Sequence, residues 1–362
     1  MSNADGMTYA PKGKPAPVVG PGEFRFAAMH LDHGHINGQC QGLIEAGADL
    51  VAVYDPDPAK VERFQKAFPQ AVAVDDPRKI LEDPTIRLVA AAAVPCDRGP
   101  LGVRVMDHGK DYFTDKAPFT SLAQLAAARA AVARTGRKYA VYYSERIHVE
   151  CAVEAGRLVQ AGAIGRVIQV LGLGPHRLNA PSRPGWFFTK AQYGGILTDI
   201  GSHQLEQFLF FTGATSAKVA FARVANHAHP EHPELEDFGE VAVVSTDPRS
   251  AGASGYHRVD WFTPAGLSTW GDGRLVLLGT EGTIELRKYV DVAAAKTQDH
   301  LILTDGKGEH RWQLHGQVGF PFFGQLVRDC LDRSETAMTQ DHAFLAADLC
   351  LRAQALADAG RA

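Results

Sequence analysis

Apolar runs and amphipathic stretches alternate along the first 145 residues. Positions 24–29 form an apolar run broken only by Arg25, and positions 50–54 form another. Between them Ile36, Cys40, Leu43 and Ile44 fall at i, i+4, i+7 and i+8, which is one stripe of a helix, and Gly47 supplies its stop. Residues 58–68 repeat the arrangement with Val61, Phe64 and Phe68 as the buried side. A short strand at 71–74, a short helix after Pro77 and an unbroken apolar strand at 88–94 follow; the lack of alternation suits a strand buried on both faces. Pro95 ends that strand. A helix through Val103 and Met106 stops at Gly109, a strand at 111–114 leads into Asp115-Lys116-Ala117-Pro118, and a helix at 122–135 precedes a last strand at 139–143. Six strands separated by helices predict a doubly wound parallel sheet, whose ligands bind beyond the carboxyl ends of the strands.

After a helix at about 148–161 the rhythm changes. Strand-like runs at 166–173, 218–224, 239–245, 255–262, 275–278, 282–286 and 300–303 succeed one another with turn residues between them. Strands without helical crossovers predict an open, mostly antiparallel sheet in an α+β domain. The exception is 198–211, a helix in which Asp199, His203 and Gln207 recur at i, i+4 and i+8 among apolar neighbours. Closing helices are expected at 323–331 and 341–359. The expected organisation is therefore a flexible leader (1–23), an α/β domain (24–147) and an α+β domain (148–362).

Composition narrows the partners. A 45% hydrophobic content over 362 residues supports sizeable cores, and a formal charge of -4 offers no field for nucleic acid or anionic lipid. No apolar run approaches the roughly 20 residues of a membrane span, and the first 23 residues hold no secretory signal. Five scattered cysteines without a Cys-x-x-Cys pair point to a reducing, cytoplasmic setting. A small soluble molecule is the expected partner.

The candidate chemistry lies at strand ends. Residues 24–55 read strand, turn, helix, strand, acid, a layout in which the acid takes the ribose hydroxyls of a dinucleotide. Asp55 is that acid, and its carboxylate would repel a 2′-phosphate, favouring NAD over NADP. The turn His30-Leu31-Asp32-His33-Gly34-His35 puts His30, Asp32 and His35 where G-x-G-x-x-G has glycines. There Asp32 either turns away to cap the following helix or brings like charge to the phosphates, and the amides and imidazoles of His33, Gly34 and His35 are the candidate donors. Pro95 and Lys116 stand at two further strand ends. The His30 to His35 cluster and a second one, His227, His229, His232, Glu234, Glu236 and Asp237, could suggest a metallohydrolase, but neither spacing matches a zinc pattern, and no metal is expected.

Spread in order along the chain, Val53-Tyr54-Asp55-Pro56, Val94-Pro95, Gly109-Lys110, Asp115-Lys116-Ala117-Pro118, Tyr143, Arg146, Gly194-Gly195-Ile196-Leu197-Thr198-Asp199-Ile200-Gly201-Ser202-His203 and Gly279-Thr280-Glu281-Gly282-Thr283 resemble the glucose-fructose oxidoreductase, inositol dehydrogenase and MocA (Gfo/Idh/MocA) family. The resemblance implies a Rossmann domain and NAD-dependent hydride transfer to or from a hydroxyl carbon of a sugar, cyclitol or glycoside-like polyol, with substrate between the nicotinamide ring and the second sheet. It implies Lys116, Asp199 and His203 as catalytic groups. A histidine suits removal of a hydroxyl proton near neutral pH, and a lysine stabilises developing alkoxide charge. Which of Lys116 and His203 takes the proton is left open. Tyr143, Arg146, Trp186 and His257 are candidate substrate contacts, each with a packing or ion-pair alternative. Assembly into a dimer or tetramer through the second sheet is expected. An NAD-recycling glycoside-cleaving enzyme and a cofactor-bound sensor without turnover are the alternatives within the fold.

Overall fold

A computed structural model describes residues 5–7, 9–14 and 16–360 of the chain. Contacts divide it into two units, one formed by residues 7–142 and 319–344 and the other by residues 1–6, 143–318 and 345–362.

The first unit opens with β1 (Arg25–Met29), α1 (His35–Glu45), β2 (Asp49–Tyr54), α2 (Pro58–Ala67), β3 (Val72–Ala73), α3 (Arg78–Leu81), β4 (Ile86–Ala91), α4 (Pro95–Asp107), β5 (Asp111–Asp115), α5 (Leu122–Thr135) and β6 (Tyr139–Tyr142). All six strands run parallel, in the order β3-β2-β1-β4-β5-β6. The order reverses between β1 and β4, the switch point where such sheets open a crevice at their carboxyl ends. The apolar run at 88–94 does not stay a strand throughout. It leaves β4 after Ala91, and Pro95 starts α4, a position where its missing N–H costs nothing.

The expected leader makes specific contacts where it is described. The Val18 N–H donates to the Ala46 carbonyl (2.9 Å), Arg328 donates to the Val18 carbonyl (2.6 Å), and Val19 is buried. Asp5 accepts from the Ser182 hydroxyl (2.6 Å) within the second unit.

The second unit continues with α6 (Ser144–Ile147), α7 (Glu150–Gln160), β7 (Val167–Pro175), α8 (Lys190–Tyr193), α9 (Ile196–Asp199), α10 (Gly201–Thr212), β8 (Ala217–Ala225), β9 (Phe238–Ser245), β10 (Ser254–Asp260), β11 (Arg274–Gly279), β12 (Gly282–Arg287), β13 (His300–Asp305) and β14 (Gly308–Gln313). Its sheet runs β14-β13-β12-β11-β7-β10-β9-β8 and is antiparallel except for the β7–β10 pair. β14, a polar edge strand, carries no apolar alternation and was not expected from the sequence. The helix expected at 198–211 is two segments joined at Ile200, whose dihedrals remain helical, so Asp199 and His203 keep their one-turn spacing. α10 packs on β7 and β10. The chain then returns to the first unit with α11 (Pro321–Asp332), and α12 (Gln340–Ala359) begins in that unit and continues from residue 345 in the second.

Candidate active site

The turn after β1 keeps the backbone of a dinucleotide loop without its glycines. His30 adopts φ 55°, a left-handed conformation that glycine takes without cost. Backbone hydrogen bonds hold it on both sides: the His30 N–H donates to Tyr54 O and the Ala92 N–H donates to His30 O, each at 3.0 Å. The His33 N–H also reaches Ala92 O at 3.0 Å. Burial lowers the His30 pKa.

Asp32 does not cap α1. Gly34 is the N-cap and contributes no side chain; the first N–H groups of α1 turn back onto the loop, His35 N–H to His33 Nδ1 (3.3 Å), Ile36 N–H to His33 O (3.3 Å) and Asn37 N–H to Gly34 O (3.1 Å). The Asp32 carboxylate instead accepts from Lys60 Nζ on α2 at 2.5 Å, which neutralises the like charge that the sequence placed in the turn. Asp55, buried at the end of β2, accepts from the Leu31 N–H (2.6 Å) and the Asp57 N–H (2.8 Å) and lies 3.8 Å from Lys60 Nζ. Each carboxylate oxygen keeps a further acceptor site for a ribose hydroxyl. A groove of about 590 Å³ lined by Tyr54, Asp55, Pro56, Pro58 and Val61 gives access beside it. These features fit a dinucleotide.

At the end of β5 a single buried carboxylate gathers four groups. Asp115 Oδ1 lies 2.8 Å from His35 Nδ1 and accepts the Lys116 N–H at 2.7 Å. Its Oδ2 lies 3.0 Å from His33 Nδ1 and accepts from Arg98 Nη2 at 3.2 Å. Burial alone would push the Asp115 carboxyl up, but His35, Arg98 and His33 hold it well below the usual carboxylate range. Burial, with the neighbouring His35, pushes His33 down to about 3. His33, His35 and Asp115 converge closely enough to suggest metal ligands. Hydrogen bonds account for the convergence, and the Arg98 guanidinium on the same carboxylate opposes a cation there.

Arg98 also donates to the Ala93 carbonyl (2.6 Å), to the Lys116 carbonyl and to the Ala117 carbonyl (3.2 Å), so it fastens the end of β4 to the lysine turn. Lys116 itself is buried. Arg98 and Lys60 were missed from the sequence. Arg98 pairs with residues 17 to 19 positions further along the chain, which no local pattern shows, and Lys60 reads as an ordinary exposed helix residue.

In the second unit Asp199 and His203 are 8% and 1% exposed, so they are not a surface i, i+4 pair. Gly194 (φ 89°) and Gly195 (φ 96°) make the turn into α9, and a Cβ on Gly195 would meet the Gln354 side chain at 2.3 Å. Glu236 and Gln354 take over capping, accepting from the Ile196 N–H (2.9 Å) and the Leu197 N–H (3.1 Å). Below α10, Lys288 Nζ donates to Glu145 Oε2 and Gln207 Oε1, both at 2.8 Å, and Gln204 donates to the same Glu145 oxygen at 3.0 Å.

The expected substrate contacts fall differently. Trp186 is partly exposed on a 3₁₀ turn (Gly185–Phe188). Arg146 is committed to an ion pair with Glu206 (2.6 Å) and stacks over Phe210 at 4.0 Å. Tyr143 and His257 are fully enclosed; burial raises the Tyr143 pKa well above the usual range and lowers His257 to about 3. Arg146, Tyr143 and His257 are all buried within the second unit. Arg183, beside the Pro184-Gly185-Trp186 stretch, was missed. It stacks on Phe187 (4.7 Å) and Trp261 (5.1 Å), is lowered to about 10 by burial, and feels the Asp199 charge. The second histidine cluster is structural: Asp237 accepts from the His227 and Ala228 N–H groups and pairs with His229 Nδ1 at 3.0 Å, while His232 stacks on Phe188.

Comparison with known proteins agrees with this geometry. Residues 16–143 match the oxidoreductase family NAD-binding Rossmann fold, and residues 152–285 match the GFO/IDH/MocA C-terminal domain. The chain is 50% identical to an oxidoreductase from Erwinia carotovora atroseptica SCRI1043 of solved structure, with a TM-score of 0.88 over 92% of this chain and 99% of that one. It is 28% identical to scyllo-inositol 2-dehydrogenase (NAD(+)) of Bacillus subtilis (strain 168) over 72% of this chain and 73% of that protein. A levoglucosan dehydrogenase in complex with NADH and levoglucosan shares the fold at 16% identity, with a TM-score of 0.75 over 94% of this chain and 98% of that one. The glycine-poor turn, the buried lysine and the Asp-x-x-x-His helix thus belong to an NAD-binding dehydrogenase, and the chain is a member of the Gfo/Idh/MocA oxidoreductase family.

Proposed function

We propose that the chain oxidises a secondary hydroxyl of a sugar, cyclitol or related polyol, or reduces the corresponding ketone, and that Lys116, Asp199 and His203 handle the reacting oxygen and its proton. The observation that carries this reading is the burial of Asp199 and His203 one turn apart, behind a Gly-Gly turn fixed by Glu236 and Gln354. Burying titratable side chains costs stability unless they are hydrogen-bonded or paired, and such groups cluster at functional sites. The inositol dehydrogenase relative supports a polyol substrate.

Bound NAD supplies the hydride acceptor. The turn at residues 30–35, with the His35 ring, would hold its diphosphate, and Asp55 would hold the adenosine ribose. Lys116, its backbone fixed by Asp115 and Arg98, stabilises negative charge on the substrate oxygen, and Asp199 and His203 orient it and exchange its proton. All five cysteines are free and no described helix is long and apolar enough to cross a membrane, which supports a reducing, cytoplasmic setting. The open face of the second sheet supports assembly with further copies of the chain.

The test is a panel of sugars, inositols and anhydrosugars followed at the reduced-nicotinamide absorbance band. At least one should turn over with NAD, and Lys116→Ala and His203→Ala should each lower turnover by a factor of roughly 10² or more while NAD affinity stays within a few-fold. Unchanged turnover in either variant would show that the catalytic group lies elsewhere.

A further inference from the structure

We propose that His35 is the proton-linked contact of the cofactor site: held through Nδ1 by Asp115, its ring meets the dinucleotide diphosphate only as imidazolium, so that binding NAD takes up a proton. The proposal rests on the cofactor placement described above.

The argument follows from hydrogen-bond polarity. Asp115 is a buried carboxylate and therefore an acceptor, so the 2.8 Å contact from His35 Nδ1 places the hydrogen on Nδ1. In the neutral ring Nε2 is then a lone pair. Diphosphate oxygens are also acceptors, and two acceptors do not bond. Only the doubly protonated ring can donate from Nε2. His35 is the first residue of α1, whose N-cap Gly34 offers no side chain, so its ring flanks the end of the helix that favours an anion. In a turn lacking three glycines, a charged imidazole replaces part of the close backbone approach that glycine would have allowed.

The groups facing the ring set the charge balance. From β5 come Asp115 and, next in sequence, Lys116; from α4 comes Arg98, 3.2 Å from Asp115 Oδ2; from the turn comes His33, with its ring centroid 4.2 Å away. The ring of Tyr142 on β6 meets His35 edge-on at 5.6 Å. One carboxylate thus already serves Arg98 and two imidazoles on the Nδ1 side of the ring. A bound diphosphate would add negative charge at Nε2. His33 is not the proton acceptor, because burial and its neighbour hold it neutral down to about pH 3.

NAD⁺ titrations of the full chain by calorimetry, in pairs of buffers differing in ionisation enthalpy and from about pH 6 to about pH 9, where imidazoles change charge, measure the protons taken up. Wild type should take up protons, at most one per site, and its affinity should fall with rising pH by up to about tenfold per unit. His35→Asn, whose amide can still donate to Asp115, should bind more weakly at low pH with no uptake and a flat pH profile; His35→Gln is the second choice should the first variant fold poorly. His33→Asn should keep the uptake. NAD binding by wild type without proton uptake, or uptake that survives in the folded His35 variant, would overturn the proposal while leaving the cofactor placement intact. Absence of NAD binding at every pH would instead sink the placement and the proposal together.

Discussion

At the scale of single residues, the one acid of the turn and the acid at the end of β2 share a lysine from α2. Asp32 lies in the turn proposed to hold the diphosphate, and Lys60 lies 2.5 Å from it and 3.8 Å from Asp55. Removing the ammonium in Lys60→Met leaves both carboxylates uncompensated. An uncompensated like charge beside a bound phosphate should lower NAD affinity by roughly tenfold or more, which is about 1.4 kcal/mol. Adding Asp32→Asn in that background should restore most of the loss, as measured by NAD titration; a Lys60→Met variant with wild-type affinity would show that Asp32 does not feel the diphosphate. Asp115 gives a second prediction. Its folded pKa is depressed, so its charge stabilises the fold above the unfolded value of about 3.9 and that stabilisation is lost as pH falls through the folded value. Asp115→Asn should therefore destabilise the protein at neutral pH by about 3 kcal/mol, the cost of breaking a buried pair, and show a shallower acid-unfolding profile by denaturant titration.

At the scale of elements, the helix that presents Asp199 and His203 is set by the turn before it. Gly195 has φ 96° and no room for a Cβ against Gln354, while Gln354 also accepts the Leu197 N–H. Gly195→Ala should displace α9, lowering turnover at least tenfold with little change in NAD affinity, because the altered turn lies in the other unit from the Rossmann sheet. Steady-state kinetics beside NAD titration would separate the two effects. This helix was legible in the sequence because apolar periodicity and the Asp-x-x-x-His spacing are local patterns. The six parallel strands were legible for the same reason. What local pattern could not show were pairings between distant residues: Lys60 with Asp32, Arg98 with Asp115 and with the Lys116 carbonyl, and Glu236 and Gln354 at the start of α9. Nor could it separate a buried polar residue that meets substrate from one that meets a neighbour. Arg146 and His257 look alike in sequence, yet one is spent on Glu206 and the other is sealed beneath α10 beside Gln204 and Gly172. β14 escaped because an edge strand with polar faces has no alternation to read.

At the scale of the whole molecule, one face of the second sheet carries a row of exposed apolar side chains. Pairing aligns Phe221, Ala242, Tyr256, Leu171 and Val276 in one row across five neighbouring strands, with Leu278 two residues along on the same face. Phe221, Tyr256, Leu171 and Leu278 are 45%, 40%, 38% and 38% exposed. Eight strands about 4.8 Å apart make a face roughly 34 Å wide, and six or seven residues at about 3.3 Å each make it more than 20 Å tall, close to the ~800 Å² that each partner gives to a stable interface. The assembly proposed above would cover this row with the same row of a second copy, since a two-fold axis running along the row through Leu171 and Tyr256 brings the residues on it against their equivalents. Leu171→Glu combined with Tyr256→Glu would then place four carboxylates in the centre of the interface. The expected outcome in analytical ultracentrifugation is a shift from dimer or higher assembly to monomer, with circular dichroism and NAD affinity preserved, because both side chains point away from the core beneath α10. A double variant that sediments with the wild-type assembly would assign the contact to another surface.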